Sequence, residues 1–253
     1  ALAPGGGLGF MVYAPYGRAG VYPLQAAFGA LYAGMPPAER LEQARKLIGE
    51  LPKGHPFRSN PNLGDHKDSD AGFYDLLFHS QDRAFTVLDL HEVMQATGWA
   101  LSGFTMPALY DLSRLTDRPD HLTDIQAMAV AEQLSGTIKA HVGYAVAGDE
   151  ARAPATGGNR ALIPHLKGVD PRALAQAVAR GQHPKMAFGT TTARLALPKQ
   201  AAPLIAAING RRSLSQIAQH TGTDPIGMGA LWAKIEQATA PWGLLLYSAL
   251  LKG

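Results

Sequence analysis

The sequence predicts a mixed α/β fold, a helix-flanked sheet followed by a small, mostly helical carboxyl-terminal part. Three observations carry this. Short apolar or β-branched runs at residues 8–14, 99–106 and 137–147 have strand length. Between them, apolar residues recur at helical spacing, as in Leu41, Ala44, Leu47, Ile48 and Leu51. At Gly148–Pro164 the composition turns Gly-, Ala- and Pro-rich, and helix-forming sequence resumes beyond it. The expected organisation is a first domain over 1–147, a linker or mobile loop over 148–163, and a second domain over 164–253.

Taken in order, Pro4–Gly7 reads as a turn, and LGFMVYA at 8–14 as a strand of a parallel sheet buried on both faces. The loop PYGRAGVYPLQ places Tyr16, Arg18 and Tyr22 after that strand, with Tyr13 near its end. Ligands of open parallel sheets gather at the carboxyl ends of the strands. Residues 24–32 and 37–51 follow as two helices, the second opened by Pro36 and Pro37. Later helices are expected over 87–97, over 122–134 with Thr123 as cap, and over 171–180 with Asp170 as cap. Residues 185–197 hold a strand or two, and 200–208 a further helix. SLSQIAQHTG and residues 225–238 read as two helices of a helix-turn-helix or winged-helix-like unit, and an apolar tail at 242–251 packs back on a domain.

The most polar stretch is NPNLGDHKDSDAGFYDLLFHSQDRAFT at 60–86, with five aspartates and two histidines. Asp65, His66, Asp68 and Asp70 are expected on a loop. Residues 72–83 read as a short helix whose Asp75, His79 and Asp82, spaced i, i+4 and i+7, share one face beside Arg83. Three readings of this cluster stand: a metal site, general acid or base work by His66 or His79, and a structural one in which Asp82 and Arg83 pair or cap while the histidines serve loop backbone. For Tyr13, Tyr16, Arg18 and Tyr22 the alternatives are substrate contacts, because arginine grips carboxylate or phosphate with two donors, and simple packing.

Among 253 residues, 46% are hydrophobic, and 23 basic residues against 20 acidic ones give a net charge of +3. That imbalance is too small to point to nucleic acid or an anionic membrane, and Arg211 and Arg212 are the lone basic pair near SLSQIAQH. With no cysteine, thiolate chemistry and disulfides are excluded, and a cytoplasmic location is the expectation. No membrane-spanning apolar run occurs.

The order APGG, LGFMVYAPYGRAGVYPLQ, then LGDH, YDLLFHSQDRAFTV and a helix ending in Gly98-Trp99, resembles the carboxyl-terminal portion of a bacterial class I S-adenosylmethionine-dependent methyltransferase with an extra carboxyl-terminal domain. The resemblance covers Leu2–Ala147 and is most specific in YAPYGRAGVYPLQ and LLFHSQDRAFT. It implies the later half of a Rossmann-like methyltransferase sheet, a helical insertion acting as a substrate-side lid, and S-adenosyl-L-methionine as cofactor. The family's glycine-rich cofactor loop and ribose-binding acid would belong to sequence before Ala1, so the chain is expected to be an amino-terminally truncated enzyme. With the missing half restored, the hypotheses for catalysis are His66 or His79 as proton acceptor and Tyr16 with Arg18 as orienting groups. Tyr13, Tyr22, Asp82 and Arg83 join these as substrate contacts to an unknown methyl acceptor, small molecule or protein. The alternatives are a non-catalytic protein-binding module and a metal-dependent hydrolase using His66 and His79.

Overall fold

A computed structural model describes residues 3, 5–79, 81–150 and 154–249. Its first strand, β1 (Leu8–Tyr13), leads into α1 (Val21–Leu31), α2 (Pro37–Glu50), the short α3 (Pro56–Ser59) and α4 (Asp65–Asp68), and α5 (Asp70–Phe78). Next come α6 (Val87–Ala96), β2 (Trp99–Phe104), α7 (Asp124–Ser135) and β3 (Ala140–Ala147). The carboxyl-terminal part contains β4 (Ile163–Leu166), α8 (Pro171–Ala179), β5 (Lys185–Phe188), β6 (Thr191–Arg194), α9 (Ala202–Ala206), α10 (Leu214–Thr221), α11 (Pro225–Thr239) and β7 (Leu245–Ser248). The expected turn at residues 4–7 includes Pro4, which lies outside the described residues.

The sheet corrects the expectation of a parallel one. β3 lies between β1 and β2 and runs antiparallel to both, with Phe10 and Phe104 each opposite Gly143. β1 and β2 therefore run in the same direction without touching. Gly143 has no side chain because Phe10 and the Gly103 carbonyl occupy the space: a Cβ there would stand 2.8 Å from each. β1 is not buried on both faces either. One face, with Phe10, Val12, Leu101, Phe104 and Ala145, packs on Leu90 and Met94 of α6 and Ala129 of α7. The other leaves Met11 57%, Val142 40% and Tyr144 59% exposed. A run that is apolar on both faces hides its period of two, so sequence cannot tell a doubly buried strand from a half-exposed one.

Helix ends follow local chemistry. Thr86 with Asp89, Thr123 with Gln126 and Ser213 with Gln216 form reciprocal capping boxes at the starts of α6, α7 and α10. The hydroxyl and amide of Thr86 hold the Asp89 carboxyl below the usual carboxylate range. The Asp170 carboxylate accepts from Ala173 N–H at 2.7 Å and starts α8 as expected. In the polar stretch the helix is earlier and shorter than expected. The Ser69 hydroxyl caps it by accepting from Gly72 N–H, and it ends at Phe78, where His79 turns extended. Asp75, His79 and Asp82 therefore do not share a helix face, and Asp65–Asp68, expected as loop, forms a helical turn.

Helices α1 to α5 enclose a core of their own around Leu24, Phe28, Phe57, Phe73 and Leu77. The largest core belongs to the carboxyl-terminal part, with Leu195, Leu204, Ile217, Met228 and Trp232 at its centre. That part is less helical than expected: β5 and β6 form a hairpin, and β7 pairs antiparallel with β4. Gly222, Thr223 and Asp224 join α10 to α11. Among the described residues no hairpin follows α11, so the winged-helix-like arrangement has no wing in that place. Residues 154–163 lie against α11: Gly157 N–H donates to Glu236 Oε1 at 2.8 Å, and a Cβ on Gly157 would stand 2.2 Å from the Trp232 ring. The two parts meet where Arg114 stacks 4.2 Å from the Trp242 ring and Ala108 enters the carboxyl-terminal core.

Candidate functional site

Beyond Tyr13 the chain bends sharply and must pass two neighbours at backbone distance. Gly17 N–H donates to Ile138 O, and a Cβ on Gly17 would stand 2.4 Å from that carbonyl. Gly20 sits at φ 89° with Phe57 N 2.1 Å from where its Cβ would be. The glycines let the loop press Arg18 inward, under the helical insertion.

There Arg18 meets Asp82. Nη2 donates to Asp82 Oδ2 at 2.6 Å, with the two side chains only 6% and 2% exposed. The guanidinium lies 3.8 Å from the centre of the Tyr13 ring and 5.5 Å from that of Tyr22. Gln25 Nε2 donates to the same Asp82 oxygen at 3.2 Å and to Leu76 O at 2.9 Å. Two buried polar atoms in this cluster, Arg18 Nε and Asp82 Oδ1, have no hydrogen-bond partner among the described residues, while the Tyr22 hydroxyl is within the influence of Arg18. Unmet buried hydrogen-bonding groups are costly, so a cluster of them marks a place prepared for a polar group.

Of the residues singled out from sequence, Tyr13, Arg18, Tyr22 and Asp82 converge. Tyr16 points elsewhere, accepting from Gln133 Nε2 of α7 at 3.3 Å. Arg83 is exposed, with its guanidinium over the Phe85 ring. The His66 ring leans against Phe57 at 54°, ring centres 4.8 Å apart. His79 is exposed, and its Nδ1 accepts from Gln81 N–H at 3.2 Å, the loop-backbone role weighed for it. Among the described residues no three His, Asp or Glu side chains gather as a metal would require. Gln25 was missed, although it sits one helical turn after Tyr22.

A second polar cluster carried no sequence signal of its own. His141 of β3 and Glu132 of α7 are fully buried with Tyr110. Tyr110 Oη lies 2.9 Å from His141 Nδ1, and His141 Nε2 lies 2.8 Å from Phe85 O and 3.3 Å from Glu132 Oε1. A carbonyl can only accept, so Nε2 carries a proton and, in the neutral ring, Tyr110 donates to Nδ1. Glu132 Oε2 accepts from Val87 N–H, the first residue of α6. The network ties both helices to β3, behind the site.

The loop also has an outer brace. Asn60 Nδ2 donates to Gly17 O and Ala19 O, both at 3.2 Å, and Asn60 Oδ1 accepts from Asn62 N–H. From the turn of the β5–β6 hairpin, Thr190 Oγ1 donates to Asn62 Oδ1 at 2.6 Å.

Several phenols are held neutral. Burial raises Tyr22, with Asp82 adding to the effect and Arg18 opposing it, while burial and the Glu132 carboxylate raise Tyr110. Tyr247 is raised by burial, opposed by its bond from Trp232 and reinforced by Glu236. An unfolded chain ionises its tyrosines near about pH 10, where the folded protein still holds these protons, so stability falls as pH rises past that point. Calorimetric melting temperatures are expected to be level across mildly alkaline pH and to drop above about pH 10, less steeply in Tyr110→Phe.

The implied cofactor finds no cradle among these residues. Gly17 and Gly20 follow a strand and precede a helix, but protein backbone fills the space beside both. The loop from β4 to α8 holds one glycine, and Asp170 occupies the helix start. Gly157 is packed on Trp232. None of these glycine-bearing loops supplies the glycine-rich cradle that the nucleoside's family grip would need.

No protein-family model matches the chain. Among solved structures, the chain is similar to PKMT2 from Rickettsia typhi in complex with AdoHcy, with a TM-score of 0.59 at 12% identity over 98% of this chain and 53% of that one. A second structure of PKMT2 from the same organism gives the same TM-score at 11% identity and the same coverage. The chain thus spans about half the length of the solved protein it matches, and the likeness establishes a shared fold.

Proposed function

We propose that this chain is the acceptor-side portion of an S-adenosyl-L-methionine-dependent methyltransferase. The observation that carries the reading is the likeness, across 98% of the chain, to a methyltransferase structure holding AdoHcy. In this reading the donor is gripped by the part of the fold that this chain does not span, and the present residues position the acceptor. Arg18, with Tyr13, Tyr22 and Asp82 around it, orients a polar group of the acceptor, and Tyr16 and Arg83 lie at the margins. Of His66 and His79, the exposed His79 is the better placed to take a proton; unchanged turnover in His79→Ala would remove that role. The acceptor is a small molecule or a protein, met in the cytoplasm.

The test is calorimetric titration of S-adenosylhomocysteine into the full native gene product and into these 253 residues alone. Binding to the former and none to the latter is expected; no binding to either defeats the proposal. A second reading, a protein-binding module without catalysis, is favoured by the uncovered face at Met11, Val142 and Tyr144 and by the missing cradle. It would gain from that negative result.

A further inference from the structure

A cleft of about 670 Å3 runs between the exposed Tyr144 of β3 and the carboxyl-terminal part. Its walls are mainly apolar, with Pro107, Pro241, Leu245 and the Tyr144 ring among them. Two of its lining residues, Glu236 and Lys167, carry opposite charges. Both hydrogen bonds that reach Glu236 go to Oε1, from Tyr247 Oη at 2.7 Å and Gly157 N–H at 2.8 Å, and Tyr247 Oη itself accepts from Trp232 Nε1 at 2.8 Å. One oxygen is therefore fixed by a three-member chain, and among the described residues no hydrogen bond or ion pair reaches Oε2. Lys167 is exposed, and its ammonium makes no hydrogen bond or ion pair among the described residues.

We propose that this cleft binds a free α-amino acid with an apolar side chain. The ammonium of such a ligand meets Glu236 Oε2, its carboxylate meets Lys167, and its side chain covers the apolar wall beside Tyr144. A carboxylate held through one oxygen and an exposed ammonium lining one largely apolar cleft match a zwitterion better than an amine or an acid alone, since either of those leaves one charge unanswered. A chain end of a protein carries only one of the two charges, which separates this ligand from a protein terminus. The site does not depend on methyl transfer.

The experiment is titration of the full-length gene product with L-phenylalanine, followed by tryptophan fluorescence through Trp232, with phenethylamine and 3-phenylpropionate as single-charge probes. L-phenylalanine is expected to bind, with each single-charge probe about ten-fold weaker or worse. Lys167→Met, at an exposed position, and Glu236→Gln, which keeps an acceptor for Tyr247 and Gly157, are each expected to weaken binding about ten-fold. Should Glu236→Gln fail to fold, Lys167→Met decides. The proposal falls if no saturable response occurs up to about 20 mM, if the single-charge probes bind as well as the amino acid, or if Lys167→Met leaves the affinity unchanged.

Discussion

Replacing Asp82 with alanine is expected to destabilise the protein by about 3–5 kcal/mol, the usual consequence of stranding one member of a buried ion pair. Arg18 would keep its charge at 6% side-chain exposure with its nearest carboxylate gone and the Tyr13 ring as its remaining close neighbour. The pair itself contributes much less than that figure, because desolvating both charges offsets most of their attraction. The double variant Arg18→Met, Asp82→Leu is accordingly expected to recover most of the loss. Urea unfolding of the three proteins checks this. A double variant as unstable as Asp82→Ala would mean that the ion pair carries the stability directly. The double variant separates scaffold from the proposed function: it is expected to fold while losing the polar group that Arg18 is proposed to orient.

Gly20→Ala should be nearly as damaging, for a different reason. At φ 89° an L-residue is strained by about 1–3 kcal/mol, and the added methyl would stand 2.1 Å from Phe57 N, so backbone must move as well. Overpacking adds about 1–3 kcal/mol, for a total near 2–6 kcal/mol. Gly34 is the control. It has φ 79° but open space around it, so Gly34→Ala is expected to cost the conformational part alone, about 1–3 kcal/mol. Equal melting temperatures for the two variants would show that the Phe57 contact is soft.

How far the site was legible in the sequence can be argued from its parts. Helix starts were readable at some caps, as with Thr123 and Asp170, because capping is decided within four residues, whereas the Ser69 cap of α5 went unread. The grouping of Tyr13, Arg18 and Tyr22 after β1 was also readable, since a Gly- and Pro-rich loop at a strand end gathers side chains over a short span. Asp82 was singled out by a spacing that the structure does not keep. Helical spacing aligned it with Asp75 and His79, whereas the helix stops at Phe78 and Asp82 reaches Arg18, 64 residues earlier in the chain. Strand direction was illegible, since nothing within β3 records that it lies reversed between β1 and β2. The Tyr110, His141 and Glu132 network was equally silent, because each member sits in an otherwise apolar context and only the tertiary fold joins them.

The brace from Thr190 through Asn62 and Asn60 to the carbonyls on either side of Arg18 makes the β5–β6 hairpin a remote handle on the loop. Linkage is reciprocal: a ligand that tightens the loop must tighten the hairpin, and a partner that pulls the hairpin away must slacken the loop by the same free energy. One exposed hydrogen bond limits that exchange to about 1 kcal/mol, or roughly five-fold in affinity. Thr190→Val would sever the handle, and the change it makes in hydrogen exchange at residues 17–20 measures how much tension it carries.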